Sequence, residues 1–395
     1  MATIALSSAV RTPGFRSFLP TITLPALAVP VAIHLNIPTL FPGLFESILR
    51  AVPKKKQSHS RKRMRQLAGK ALKDVTALSK CSGCGRVKRA HLLCDYSHAG
   101  DIFGLAITPS YTITVASDSN VKLWDIGSPE HPLVHEFSGA HPLGAHHVAV
   151  NTAAGTRAAS VGFGGEIILW DLEKLEQQYK IKGQPGMFLE GTWAVALSPS
   201  GERMAVSTCD GKIILWDTSR PQEVLKTYET KGSFGLCVDI SPDGKLLASG
   251  HENGGVYIFN NETSKIFHSL HGLVKPVRCV KFSPGGKLLA ACGDSGVIAL
   301  FDVASGERVA NLTGHSSWVF SVSWNPVGDH LISGSFDGKV KVWSIDTFSC
   351  VATQSEATAA IHAVQSIPNG SRIGQGFVAA GANKSIYYYR ETTGE

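Results

Sequence analysis

The chain has 395 residues, of which 43% are hydrophobic, 8% aromatic and only 17% charged, with 40 glycines. It is too apolar and too rich in aromatic and branched residues to be mostly disordered, and it is long enough for several small domains or one large all-β domain. The net charge of +7 hides an asymmetry: residues 1–97 carry 16 Lys+Arg against 3 Asp+Glu, and residues 98–395 carry 22 against 28, so a basic head suited to a polyanion precedes a mildly acidic body.

Cysteine usage divides at the same place. Cys81, Cys84 and Cys94 cluster, while Cys209, Cys237, Cys279, Cys292 and Cys350 are scattered through β-like runs. Single cysteines in such runs behave as small buried hydrophobes, which excludes a secreted disulfide framework. The most apolar stretch, residues 20–45, contains five prolines and His34. These would break a spanning helix repeatedly, so no membrane partner is expected.

Residues 1–45 contain no acid, and the start MATIALSSAVRTPGFRSF mixes Ser and Thr with Arg11 and Arg16. This predicts a transit peptide over residues 1–50, and hence mitochondrial localisation of the chain as written. A plain disordered tail is the alternative. Residues 51–73, AVPKKKQSHSRKRMRQLAGKALK, hold nine Lys or Arg and no acid. So dense a run gains by releasing counterions along a phosphate backbone, which makes Lys54, Lys55, Lys56, Arg61, Lys62, Arg63 and Arg65 candidate RNA contacts. Without interleaved aromatics, backbone contact is favoured over base reading; a solvated charge run or a nuclear localisation signal is the competing explanation.

Next comes Cys81-x2-Cys84-x9-Cys94, with Gly83 and Gly85 letting the first pair wrap a metal. Two thiolates at that spacing can grip one tetrahedral zinc. The position three after Cys94 is Ser97, so a complete shell needs His98 or His91 as a nitrogen donor. The segments AVPKKKQSHSRKRMR and LSKCSGCGRVKRAHLLC resemble the zinc-ribbon protein numbered thirty-two of the bacterial-type large ribosomal subunit, in its mitochondrial form. The likeness covers residues 51–96. It implies a basic arm threaded into large-subunit rRNA and one zinc ion held by four cysteines, of which this chain keeps three. Metal binding and folding are coupled in so small a unit, so the missing ligand bears on both.

From residue 98 onward a period of 42–46 residues decides the fold. The runs VKLWD, IILWD, IILWD, VYIFN, IALFD, VKVWS and IYYYR place an aromatic at Trp124, Trp170, Trp216, Phe259, Phe301, Trp343 and Tyr389. A turn residue precedes most of them by six positions, as at Asp118, Gly164, Asp210 and Asp337, and Pro-Gly turns such as SPDGKLLASG feed a further apolar strand. Four strands per unit and seven units predict an all-β, seven-bladed WD-repeat β-propeller over residues 98–395. His315, Asp337 and Trp343 fit a structural hydrogen-bonded group that locks strands. The sequence shows no paired carboxylates, nucleophile elbow or phosphate loop, so no enzyme is expected.

The segments GTWAVALSPSGERMAVST, GSFGLCVDISPDGKLLASG and GHSSWVFSVSWNPVGDHLISGSFDGKVKVWSIDTFSC resemble the WD-repeat family of superkiller-complex subunits, which also serve as meiotic recombination factors. The likeness spans essentially all of residues 98–395. It implies a non-catalytic scaffold that joins helical-repeat and RNA-helicase subunits in cytoplasmic mRNA decay with the exosome, and in some members binds the meiotic double-strand-break machinery. For the propeller alone it implies a cytoplasmic and nuclear location.

Aligning the first strand of each blade puts Phe103, His146, Trp193, Leu236, Arg278, Phe320 and His362 in one column near the channel mouth, with Trp318 extending it. Large aromatics, an Arg and two His where a core would favour Val or Ile predict a partner-binding ring, the Arg favouring an acidic or carbonyl-rich peptide. Packing between blades is the alternative.

Blade seven has sequence for three strands, so its fourth must come from upstream, and residues 90–96, AHLLCDY, are the candidate. The same segment is the second half of the zinc ribbon. This conflict, with the change of likeness between Cys94 and His98, points to a fused reading frame in which the closing strand prevails. A missing ligand weakens the ribbon, whereas pairing completes a hydrogen-bonded edge. Replacing Leu92 and Leu93 with Asp should therefore lower the melting temperature of the propeller; an unchanged melting curve would refute the closing strand.

Overall fold

The computed structural model describes residues 78–80, 87–89 and 97–390, the last without 129, 182–190, 221–222, 231–232, 271–272, 356–358 and 369–375. The chain divides into two compact units, Met1–Asp74 and Val75–Glu395. The transit-like start, the basic arm of residues 54–65 and the three head cysteines all lie outside the described residues. Leu78–Lys80 pairs antiparallel with Val87–Arg89, Leu78 opposite Arg89. This two-stranded hairpin brackets the segment that carries Cys81 and Cys84.

Residues 97–390 form seven antiparallel sheets, six of four strands and one of three among the described residues. Their first strands are Ile102–Ile107, Ala145–Val150, Thr192–Leu197, Gly235–Ile240, Val277–Phe282, Val319–Trp324 and Ile361–Ser366. These stand side by side around a central channel, and Ile361–Ser366 returns to Ile102–Ile107 to close the circle. The other strands of each blade step outward in chain order. The fold is thus the seven-bladed propeller expected from the repeat.

Burial explains the strand composition. A middle strand such as Ile167–Asp171 is covered on both faces, so four consecutive residues, Ile-Ile-Leu-Trp, are buried, while the outer strand Glu176–Ile181 is mostly exposed. Each seam between neighbouring blades has its own apolar core, and the repeated aromatic plugs the seam with the preceding blade. Trp170 packs with Val115 and Val148, Phe301 with Val256 and Ala291, and Trp343 with Leu300 and Val322. Burying one such ring contributes roughly 2–3 kcal/mol. The turns follow local chemistry too. Ser241 Oγ accepts the Leu246 N–H at 2.8 Å, and Gly244 takes a φ of +71°, which a residue with a Cβ adopts only at a cost.

Among the described residues three blades are pinned by a four-residue hydrogen-bonded chain. In blade six His315 Nδ1 lies 3.0 Å from Asp337 Oδ2 and His315 Nε2 lies 2.8 Å from Ser333 Oγ, which accepts the Trp343 indole N–H at 2.8 Å. Blade one repeats this with His98, Asp118, Thr114 and Trp124 at 2.8, 2.7 and 2.9 Å. Blade two repeats it with His141, Glu166, Ser160 and Trp170 at 2.9, 2.7 and 2.8 Å. There Gly164 stands at the turn position, and Glu166, two residues on, supplies the carboxylate. Donation of Nδ1–H to the carboxylate fixes the tautomer, leaving Nε2 to accept the hydroxyl proton.

The blade-one chain corrects one expectation. His98 is 0% exposed in its side chain and both ring nitrogens are committed within the propeller, so it is not the nitrogen donor of a zinc shell. Ser97 Oγ–H donates to the Lys384 carbonyl at 2.7 Å, and Lys384 Nζ donates to the Ala99 carbonyl at 2.8 Å. Residues 97–99 are therefore fastened to the turn before the last strand of blade seven. That strand, Ile386–Arg390, pairs with Gly376–Gly381. The segment expected to flank it, residues 90–96, lies outside the described residues.

Burial lowers the pKa of His98, His141 and His315 below 6.5, overcoming the raising effect of their carboxylates. Asp118 falls to about 2, because although burial raises it, hydrogen bonds from His98, Ala99 and Asn120 prevail. The unfolded chain binds more protons than the folded one below about pH 6.5, so this stability is full above that pH and is lost as the pH falls. Urea unfolding midpoints should decline from pH 7 to pH 5 with an unchanged denaturant slope; a flat profile would contradict the buried neutral histidines.

Candidate functional site

The second residue of each innermost strand is Phe103, His146, Trp193, Leu236, Arg278, Phe320 and His362. In every blade the pairing register slips around this residue, as between Ile102 and Gly104, Val277 and Cys279, or Ile361 and Ala363. A residue left over in one strand of an antiparallel pair is re-aimed out of the alternating pattern. All seven side chains accordingly line the cavity of about 850 Å³ that occupies the channel.

The rings meet in a continuous arc. Centroid distances are 6.3 Å for Trp318–Phe320, 5.1 Å for Phe320–His362 and 5.0 Å for His362–Phe103. The arc continues through Phe163, 5.5 Å from Phe103 and 4.7 Å from His146, and then Trp193, 4.3 Å from His146. Phe234 lies 5.1 Å beyond Trp193, and Phe336 lies 5.7 Å from Trp318. Phe163, Phe234 and Phe336 were not anticipated from sequence. Phe163 and Phe336 each directly follow a second strand, and their N–H groups donate to the carbonyls of Gly144 and Trp318 at the start of the first strand. The available signal was an aromatic just ahead of the turn glycine in GFGG and SFDG.

Trp318, Phe336 and Phe163 are 44%, 53% and 42% exposed, so the arc presents large apolar surface to water. His146 donates Nε2–H to the Trp193 carbonyl at 2.6 Å. Burial lowers its pKa to about 4 and also lowers that of His362, so both histidines are neutral members of the arc.

Arg278 corrects another expectation. Its Nε and Nη2 donate to the two carboxylate oxygens of Asp294 at 2.5 and 3.0 Å, and its guanidinium lies 5.3 Å from the Trp318 ring and 5.6 Å from Phe320. The charge is matched within the chain, so it does not draw an acidic peptide as a free cation. It prolongs the aromatic surface with a flat, stacked group. Among the described residues no cluster of His, Cys, Asp or Glu is arranged to hold a metal.

The WD domain, G-beta repeat family matches residues 90–125, 264–302 and 306–344, and the anaphase-promoting complex subunit 4 WD40 domain matches residues 195–275. The meiotic recombination protein rec14 of Schizosaccharomyces pombe is 41% identical over 299 residues, covering 76% of this chain and 96% of that protein. The chain belongs to the rec14 family of WD-repeat proteins. Ahead of the rec14-like body, residues 51–100 match the ribosomal L32p protein family. The large ribosomal subunit protein bL32m of Neurospora crassa is 50% identical over 105 residues, covering 23% of this chain and 81% of that protein. The antiviral protein SKI8 of Saccharomyces cerevisiae is 28% identical over 218 residues, 45% of this chain and 55% of that protein. The L32p match runs to residue 100 and the first WD match begins at residue 90, so the two matches overlap over residues 90–100.

In the rec14-like body the Arg278–Asp294 pair can be weighed by a double-mutant cycle. Arg278→Ala, Asp294→Ala and the double variant should give a coupling of about 1 kcal/mol in urea unfolding; a coupling of zero would leave the pair with no role in stability.

Proposed function

We propose that this chain is a non-catalytic interaction scaffold whose aromatic rim receives a short peptide of a partner protein. The continuous arc from Trp318 to Trp193 carries this reading. Aromatic and Arg side chains dominate binding energy at interfaces, and here they are mounted on rigid inner strands, so little ordering entropy is lost on binding. The likeness to rec14 supports a role in meiotic recombination. The likeness to SKI8 and the superkiller-type sequence segments support helical-repeat and helicase partners in mRNA decay. Both likenesses support a cytoplasmic and nuclear location for the propeller.

The L32p match favours a second reading for the head. There Lys54, Lys55, Lys56, Arg61, Lys62, Arg63 and Arg65 contact large-subunit rRNA in the mitochondrion. Cys81, Cys84 and Cys94 hold one zinc, and with His98 committed to blade one, His91 is the remaining nitrogen donor proposed from sequence.

The test is purification of the tagged full chain from its own cells. The rim reading expects helicase and helical-repeat proteins to co-purify, and Trp318→Ala with Phe336→Ala to weaken their binding about thirtyfold, as for an interface hot spot of about 2 kcal/mol. Co-sedimentation with large ribosomal subunits, insensitive to the rim variants and abolished by Glu at positions 54–56, would establish the second reading instead.

A further inference from the structure

We infer that Cys279 and Cys292 form an oxidisable dithiol within blade five, which closes to a disulfide on reaction with a peroxide. Cys279 lies in Val277–Phe282 and Cys292 in Leu288–Gly293, and the two are directly opposed in the antiparallel register. Opposed residues share one face of the sheet with Cα atoms about 4.5–5.5 Å apart. That separation falls inside the disulfide range of roughly 4.4–6.8 Å, so closure asks for side-chain rotation and no backbone movement. Both thiols are free, and both pack in the seam between blades five and six.

Access and reactivity are divided between them. Cys292 is 0% exposed, whereas Cys279 is half-buried and lines the channel. A hydrogen bond from the Cys292 thiol lowers the Cys279 pKa, with the Lys281 ammonium acting in the same direction, while burial raises Cys292 well above the ordinary thiol range. The thiolate is the nucleophile, so Cys279 attacks and Cys292 resolves. The Cys279 sulfur takes the near oxygen of the peroxide, the O–O bond breaks, and the leaving hydroxide collects a proton as water. Cys292 then attacks the sulfenic sulfur, and its thiol proton leaves with the displaced hydroxide as a second water. The two thiols supply the two electrons that reduce the peroxide.

Among the described residues the other cysteines lack this geometry. Cys237 packs in the seam between blades four and five and donates to the Val277 carbonyl at 3.5 Å, and Cys350 stands opposite Trp343. Cys279 directly follows Arg278, and Cys292 lies two residues before Asp294, so the crosslink would pin the rung beside the rim ion pair.

The experiment uses the reduced full chain exposed to a small excess of hydrogen peroxide. The sample is then denatured, alkylated, digested without reductant and mapped by mass spectrometry. A linked Cys279–Cys292 peptide pair, two hydrogens lighter than its separate parts and released by reductant, is the expected result. It should persist in Cys209→Ser with Cys350→Ser and vanish in Cys292→Ser. A map with both cysteines alkylated while exposed Cys209 is oxidised, or with Cys279 joined to Cys237, would overturn the proposal, and the unaltered chain alone decides between these outcomes.

Discussion

When one strand of an antiparallel pair gains a residue over its partner, that residue leaves the alternation of inward and outward faces. In this propeller the slip falls at the same place in all seven innermost strands, next to the first paired residue. Without it, the second residue would point into a seam, where Arg278 could not be accommodated and Trp193 would overfill a space sized for Val or Ile. With it, seven side chains converge on one mouth of the channel. The apolar seams and the rim are therefore alternative destinations for the same strand, separated by one residue of register.

The seams in turn depend on how the circle is held shut. Ile361–Ser366 returns to Ile102–Ile107, and the seam between them buries Trp124, Ile126 and Tyr388 together. Ser97 and Lys384 tie the entering chain to the last blade, and His98 is drawn into the blade-one hydrogen-bonded chain immediately afterwards. The propeller thus claims Ser97 and His98 for itself. A zinc shell in the head has to be completed, if at all, from residues before them.

The fold was legible in the sequence because its period is written in large side chains. Trp124, Trp170, Trp216 and Trp343 recur where a seam needs a ring, and blade seven shows the three strands that its sequence provides for. The hydrogen-bonded chains of blades one and two were not legible, since Glu166 replaces the turn acid and His98 stood beside a cysteine cluster that offered it another role. Only the first tier of the rim was legible. Phe163 and Phe336 join it through the hydrogen bond between the second-strand exit and the first-strand entry, a contact between residues 18 or 19 apart that no local pattern announces. The pairing of Arg278 with Asp294 is of the same kind, and it changes the chemistry expected of the rim.

That change separates the two halves of the chain by recognition physics. The head concentrates positive charge, nine Lys or Arg in residues 51–73 without an acid, and charge of that density acts at long range and weakens with salt. The arc of the propeller works in the opposite way. Arg278 is matched by Asp294, burial keeps His146 and His362 neutral, and the remaining members of the arc from Trp318 to Trp193 are aromatic rings. Under the proposed rim reading, attraction there comes from dispersion, desolvation and ring stacking, which act only at contact and depend little on ionic strength. Under the same proposed reading, selectivity at the arc comes from shape, because the spacing of rings on a closed circle is fixed by the seams and cannot adapt to a partner whose side chains are set differently.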